Sequence, residues 1–166
     1  MAENLNLFNE LRRLNSGGRW WVLIDAAGLP NGLSSIDESK FSEVECLFTG
    51  DLADELADVA PYLALVDVLD ERVISYLHYL LQEQCAVLVM DDKKVMTFSE
   101  THRHFRKFNI VYGPDKNPIF FRYYDPRVIS TVLDLLDRDQ IEKFLGSFRI
   151  LMAEDRFSLY ASKVSI

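Results

Sequence analysis

The apolar residues of this chain switch repeatedly between short unbroken runs and recurrences every three or four positions, the pattern of strands alternating with amphipathic helices. Trp20-Trp21-Val22-Leu23-Ile24 is apolar on both faces before Asp25, and predicts a strand covered on both sides. Residues 62–67 and 86–90 have the same character, the second run ending at Asp91-Asp92. Between them Val73, Ile74, Leu77, Leu80 and Leu81 share one stripe, predicting a helix over 71–84. Ahead of the first strand, Leu5, Phe8, Leu11 and Leu14 predict a short helix that ends around Ser16-Gly17-Gly18. Cys46-Leu47-Phe48-Thr49 reads as a short edge strand. Asp51 then caps a short helix running to about residue 59 and stopped by Pro61. The intervening segment, 28–45, is polar and rich in turn residues, and is the best candidate for a mobile or partner-contacting loop.

In the second half, Thr97-Phe98-Ser99-Glu100 has the form of a capping box, opening a helix with Phe98, His102, Phe105 and Phe108 on its inner face. Residues 110–112 and 119–124 flank the turn-forming run 113–118, which predicts a hairpin. Ile129, Val132, Leu133 and Leu136 make the next helix. Asp137-Arg138-Asp139-Gln140 starts another, carried by Ile141, Phe144, Leu145 and Phe148 and closed near Gly146. Short strands near 150–152 and 159–161 finish the chain. The sum is an α/β fold with a mixed β-sheet, helices packed on its faces and a short helical C-terminal portion, in a single domain over 1–166.

The run Ile119-Phe120-Phe121-Arg122-Tyr123-Tyr124-Asp125-Pro126-Arg127 carries most of the chemistry. Alternation puts Phe120, Arg122 and Tyr124 on one face and Ile119, Phe121 and Tyr123 on the other, so it reads as a strand near the middle of the sheet. Asp125 fits an N-cap and Pro126 the first helical position, where a missing N–H costs nothing. Arg122 lies among aromatics, and Arg127 lies in a helix's first turn, where the dipole disfavours a cation. Both arginines need specific partners. Asp25 and Asp125 are the candidates, in a buried network that locks the junction. Direct contact with a ligand is the other reading.

Composition narrows the function. The chain has 166 residues, 49% of them hydrophobic and 12% aromatic, including 11 Phe and 7 Tyr, enough for a sticky groove as well as a core. A net charge of -8 disfavours nucleic-acid or anionic-membrane binding, and suits a basic partner or a segment with an apolar face. Cys46 and Cys85 lack metal-type spacing and read as reduced thiols of a cytoplasmic protein. No secretory signal or bilayer-spanning run is visible in the sequence.

Asp25, Asp67, Asp91 and Asp125 each end a predicted strand. In a largely parallel sheet they would share one edge, where Mg²⁺ could be held; equally, aspartate at such junctions caps helices and makes turns. His102 and His104 point about 200° apart on a helix and cannot share a metal; His102 and His78 read as core histidines. Arg103, Arg106 and Lys107 form a basic patch, either a solvated face or a contact for an acidic partner. No phosphate loop, nucleophile elbow or Cys–His arrangement is present in the sequence.

Phe121-Arg122-Tyr123-Tyr124-Asp125-Pro126-Arg127 resembles a bacterial family first catalogued as a domain of unknown function and later tied to type VI secretion as effector chaperones, or adaptors. Further pieces stand in that family's order: Trp21-Val22-Leu23-Ile24-Asp25-Ala26-Ala27, Cys46-Leu47-Phe48-Thr49-Gly50, Ala60-Pro61-Tyr62-Leu63 and Thr101-His102-Arg103-His104-Phe105-Arg106-Lys107. The resemblance spans roughly residues 20–148. The resemblance implies a non-enzymatic cytoplasmic protein that binds one cognate toxin effector and promotes its loading onto the spike protein. It implies no cofactor, metal, small-molecule substrate, nucleic acid or membrane. Trp20, Phe120, Arg103 and Arg106 are the expected partner contacts; Asp25, Arg122, Tyr124, Asp125, Pro126 and Arg127 are the expected structural network. The rival readings are a divalent-metal-dependent hydrolase using Asp25, Asp91 and Asp125, and a regulatory module binding a metabolite at the sheet edge.

Overall fold

A computed structural model describes residues 18–91, 95–153 and 157–161, together with Asn9, Leu11 and Arg13. Its centre is strand β1 (Arg19–Asp25), which pairs on one side with β3 (Pro61–Val66) and on the other with β4 (Ala86–Asp91). Val22 stands opposite both Ala64 and Leu88. Strand β2 (Glu43–Cys46) adds to β3, while β7 (Phe148–Ala153) and β8 (Phe157–Ala161) extend the far side, giving the order β2-β3-β1-β4-β7-β8.

Every pairing among the described strands is antiparallel. The α/β class holds, but the sheet is not mixed in the direction of its neighbours. β3 and β4 run the same way without touching, because β1 is inserted between them. Connections between strands can skip over an intervening one, a choice that residue patterns alone leave open.

Because side chains alternate along a strand, the sheet has two apolar faces and the core has two halves. Trp20, Val22, Ile24, Tyr62, Ala64, Leu88 and Met90 face one side, packed with Val73, Ile74, Leu77 and Leu80 of α2 (Glu71–Gln82). Trp21, Leu23, Leu63, Val87 and Val89 face the other. There they meet Phe98 and Phe105 of α3 (Phe98–Arg106), Ile129 and Leu133 of α4 (Pro126–Leu135), and Phe144 and Leu145 of α5 (Arg138–Leu145).

The helices start where the sequence places their caps. Asp70 accepts from Arg72 N and Val73 N at 2.9 Å, and complete capping boxes open α3 (Thr97 with Glu100) and α5 (Asp137 with Gln140). Gly146 ends α5 at φ 57°, a left-handed conformation that suits glycine. The first short helix, α1 (Asp51–Glu55), is capped by Gly50 at φ 61° rather than by Asp51, and a 3-10 turn follows it at Ala57–Val59.

Three further expectations are revised. The edge strand lies earlier than predicted, at Glu43–Cys46, so that Leu47 and Phe48 turn inward and are buried. The polar segment before it is a chain of 3-10 turns pinned to α2. There the Tyr76 hydroxyl donates to Ser35 O at 3.0 Å and accepts from Asp37 N at 2.9 Å, while Ile36 is buried. Last, residues 119–124 are not a central strand. Only Pro118–Phe120 (β6) is extended, paired with β5 (Ile110–Tyr112) in a separate hairpin. Most of the predicted N-terminal helix lies outside the described residues, although Leu11 is helical and buried.

Candidate functional site

The hairpin β5–β6 is closed by Lys116 N donating to Gly113 O at 2.9 Å, with Lys116 at φ 61°. Phe121 N then donates to Asn109 O at 3.0 Å, and Asp125 N donates to Arg122 O at 3.0 Å, so the chain turns inward after the hairpin. This turn explains the aromatic content on both sides of the run. Tyr123 is fully buried, its hydroxyl lying 3.0 Å from Phe105 O and 2.9 Å from Asn109 Oδ1 as acceptors. Its ring packs against Phe105, Phe121 and Phe144. Asn109 in turn donates from Nδ2 to Leu47 O at 2.8 Å, tying the end of α3 to the sheet's β2 edge.

The side chains left outside by this turn form a groove. Ile119 and Phe120 of β6 stand 51% and 61% exposed, an unusual cost for large apolar residues. Opposite them are Val128, Val132 and Leu136 from α4 and its C-terminus, with Phe108, Phe121 and Phe144 also lining the recess. The recess has a volume of about 810 Å³. Its charged lining residues are Lys107, Arg122 and Lys143, and no carboxylate among the described residues lines it. Lys107 Nζ sits 5.2 Å from the Phe108 ring centroid, a cation–π contact at the rim.

Arg122 joins this groove to the ion network. Its guanidinium hydrogen-bonds Asp25 Oδ2 and lies 3.5 Å from Asp125 Oδ2. Arg127 grips Asp125 with two bonds, Nε to Oδ1 and Nη2 to Oδ2, each 2.9 Å. Asp125 Oδ1 also accepts from Arg127 N at 3.0 Å, which caps α4 ahead of Pro126. The pairs expected from the sequence are formed, with a different distribution of burial. The carboxylates are buried, whereas the Arg122 and Arg127 side chains remain 45% and 60% exposed.

The electrostatics follow from that layout. Burial pushes the Asp25 carboxyl above its ordinary value, against the opposing hydrogen bond and charge of Arg122. Burial also acts most strongly on Asp125, but bonds from Arg127 and the charges of both arginines together hold it below the ordinary value. Tyr124, buried beside them, has its hydroxyl pushed up to about 12 by burial and by the Asp25 charge.

The expected partner contacts divide. Phe120 is in the groove wall, and Arg103 and Arg106 are exposed on α3. Trp20 is only 2% exposed: it belongs to the α2-side core, since β1 is flanked by strands and covered by helices on both faces. It is not an accessible contact. Of the basic patch on α3, Lys107 is the member that reaches the groove. Lys143, Val128 and Gln140, which also line it, were not singled out from sequence. Only Val128 had a signal, an apolar stripe on α4 wider than one core face requires; Lys143 and Gln140 are polar residues of α5.

Antiparallel pairing also separates the strand-end aspartates. Asp91 lies opposite Arg19 at the other end of β1 from Asp25, accepting from Val95 N and Met96 N at 3.0 and 3.1 Å. Asp67 accepts from the Ser42 hydroxyl at 2.6 Å. Among the described residues, no group of three or more His, Cys, Asp or Glu is placed to hold a metal ion. Two of the three histidines bind backbone: His102 Nε2 is 2.7 Å from Cys46 O, and His104 Nε2 is 2.7 Å from Phe144 O. Cys46 and Cys85 are free thiols, and burial pushes Cys85 up to about 12. Among the described residues, no helix is long and apolar enough to cross a membrane.

Fold and site together define an α/β domain with an ion-locked strand-to-helix junction and an open apolar groove beside it. Residues 20–143 match the family described as Domain of unknown function (DUF4123), and the chain belongs to that family. The match runs from the start of β1 into α5, so it includes the whole ion network and most of the groove. No curated protein and no solved structure matches the chain.

Proposed function

We propose that the protein is a cytoplasmic chaperone, or adaptor, that holds a segment of a cognate type VI secretion toxin and promotes its loading onto the spike protein. The observation that carries this reading is the groove, where Ile119 and Phe120 stand exposed beside the apolar flank of α4. Large apolar side chains held open in this way, on a well-packed domain, serve a partner that covers them. Fully burying one such side chain is worth about 1.5–3 kcal/mol, so a few anchors supply much of an interface's stability. The resemblance of the Asp125-Pro126-Arg127 block to effector adaptors suggests the partner, and membership of the family is compatible with that reading.

Affinity capture from the native bacterium tests the reading. Tagged protein should recover a toxin encoded beside this gene, together with the spike protein, and Phe120→Asp should lose the toxin while keeping a normal melting curve. Repeated captures that recover neither toxin nor spike protein would overturn it.

A further inference from the structure

Resting on the adaptor reading, we propose that the groove selects an amphipathic helix whose apolar face carries the anchors and whose flanks carry carboxylates. Net charge alone points the other way. The chain has 26 acidic residues against 18 Lys and Arg, yet among the described residues the groove is lined by Lys107, Arg122 and Lys143 with no acid. Long-range steering by the whole molecule favours a basic approach, but the pairs formed at contact are set by the rim. An acidic flank meets complementary charge there; a basic flank meets like charge.

Lys107 and Lys143 carry this selection, because the charge of Arg122, although its side chain is 45% exposed, is already met by Asp25 and Asp125. A protein segment suits the walls better than an enclosed small molecule does. Small ligands are commonly buried over most of their surface, whereas Ile119, Phe120 and Tyr112 form an outer wall that is 51%, 61% and 71% exposed. A helix laid along such a wall presents anchors at i, i+3, i+4 and i+7.

The test uses the full chain and two labelled helical peptides with the same Leu and Phe positions, one flanked by Glu and the other by Lys. Fluorescence anisotropy at near-physiological salt should show the Glu peptide binding roughly tenfold tighter or more. The Lys107→Glu, Lys143→Glu double variant should reverse that preference with an unchanged melting temperature; both side chains are exposed, so the fold does not depend on them. Equal binding of the two peptides, tighter binding of the Lys peptide, or a preference untouched by the double variant would overturn the proposal. Oleate binding with neither peptide binding would overturn it in favour of an amphiphile site. Failure of the adaptor reading looks different. If the cognate toxin is captured equally by unmodified protein and by the double variant, the adaptor role stands and the groove assignment falls. If unmodified protein captures neither toxin nor spike protein, the adaptor role falls, whatever the peptides show.

Discussion

Asp25 is the residue on which the junction's stability turns. It is buried at the end of the central strand, and Arg122 is its ion-pair partner. Removing one partner of such a pair leaves an uncompensated charge in the interior, which costs more than the pair itself contributes. Arg122→Ala should therefore lower unfolding stability in urea denaturation, by less than the ~3–5 kcal/mol of a fully buried pair because Arg122 is half-exposed. Adding Asp25→Asn should restore part of the loss by removing the stranded charge. Arg127→Ala should cost less, because Arg127 is largely exposed and Asp125 keeps Arg122 within 3.5 Å. Equal losses for the two arginine variants would show that the junction is held by Asp125 alone. Protonation of the two acids works in opposite senses. The depressed value of Asp125 adds stability that is present above 3.8 and lost as pH falls through its lower folded value. The raised value of Asp25 adds stability present below 3.8 and lost as pH rises through its higher one, so the two partly offset each other.

Among the elements, α3 and α5 are joined by His104. Its Nε2 donates to Phe144 O at 2.7 Å in the last turn of α5, and its ring packs against Phe105, Phe108 and Phe148. Burial holds its pKa below 6.5, with Lys107 adding to the depression and the Phe144 bond opposing it. Folding thus favours the neutral ring. The contribution is complete above 6.5 and is lost as pH falls through the lower folded value. His104→Gln, which keeps a donor without titrating, should flatten the fall in melting temperature on acidification below 6.5. An unchanged acid slope in that variant would place the pH sensitivity elsewhere. Because α5 carries Lys143 and Phe144 into the groove, the same clamp also sets one side of the binding surface.

For the whole molecule, the net charge of -8 works against compaction while local pairs work for it. Screening at about 0.15 M salt reaches over distances longer than roughly 8 Å, so it removes diffuse repulsion before it removes close pairs. The melting temperature should rise between low salt and that concentration. A fall, read by the same thermal melts, would show that exposed ion pairs such as Arg138–Glu142 outweigh the repulsion.

Local chemistry in the sequence determined the strands at β1, β3 and β4, the stripe of α2 and the starts of α3 to α5, because burial on two faces, helical period and capping each act within a few residues. It also marked Arg122 and Arg127 as needing specific partners and offered Asp25 and Asp125 as candidates, with ligand contact as the other reading. Tertiary structure decided the rest. Antiparallel insertion of β1 between β3 and β4 sent Asp25 and Asp91 to opposite edges, since strand direction depends on contacts between distant segments. The turn at Arg122 divided one aromatic run into a buried half, Tyr123 and Tyr124, and an exposed half, Ile119 and Phe120. A pattern of apolar residues marks which side chains seek cover, but only the packed chain shows which of them the protein has left for a partner.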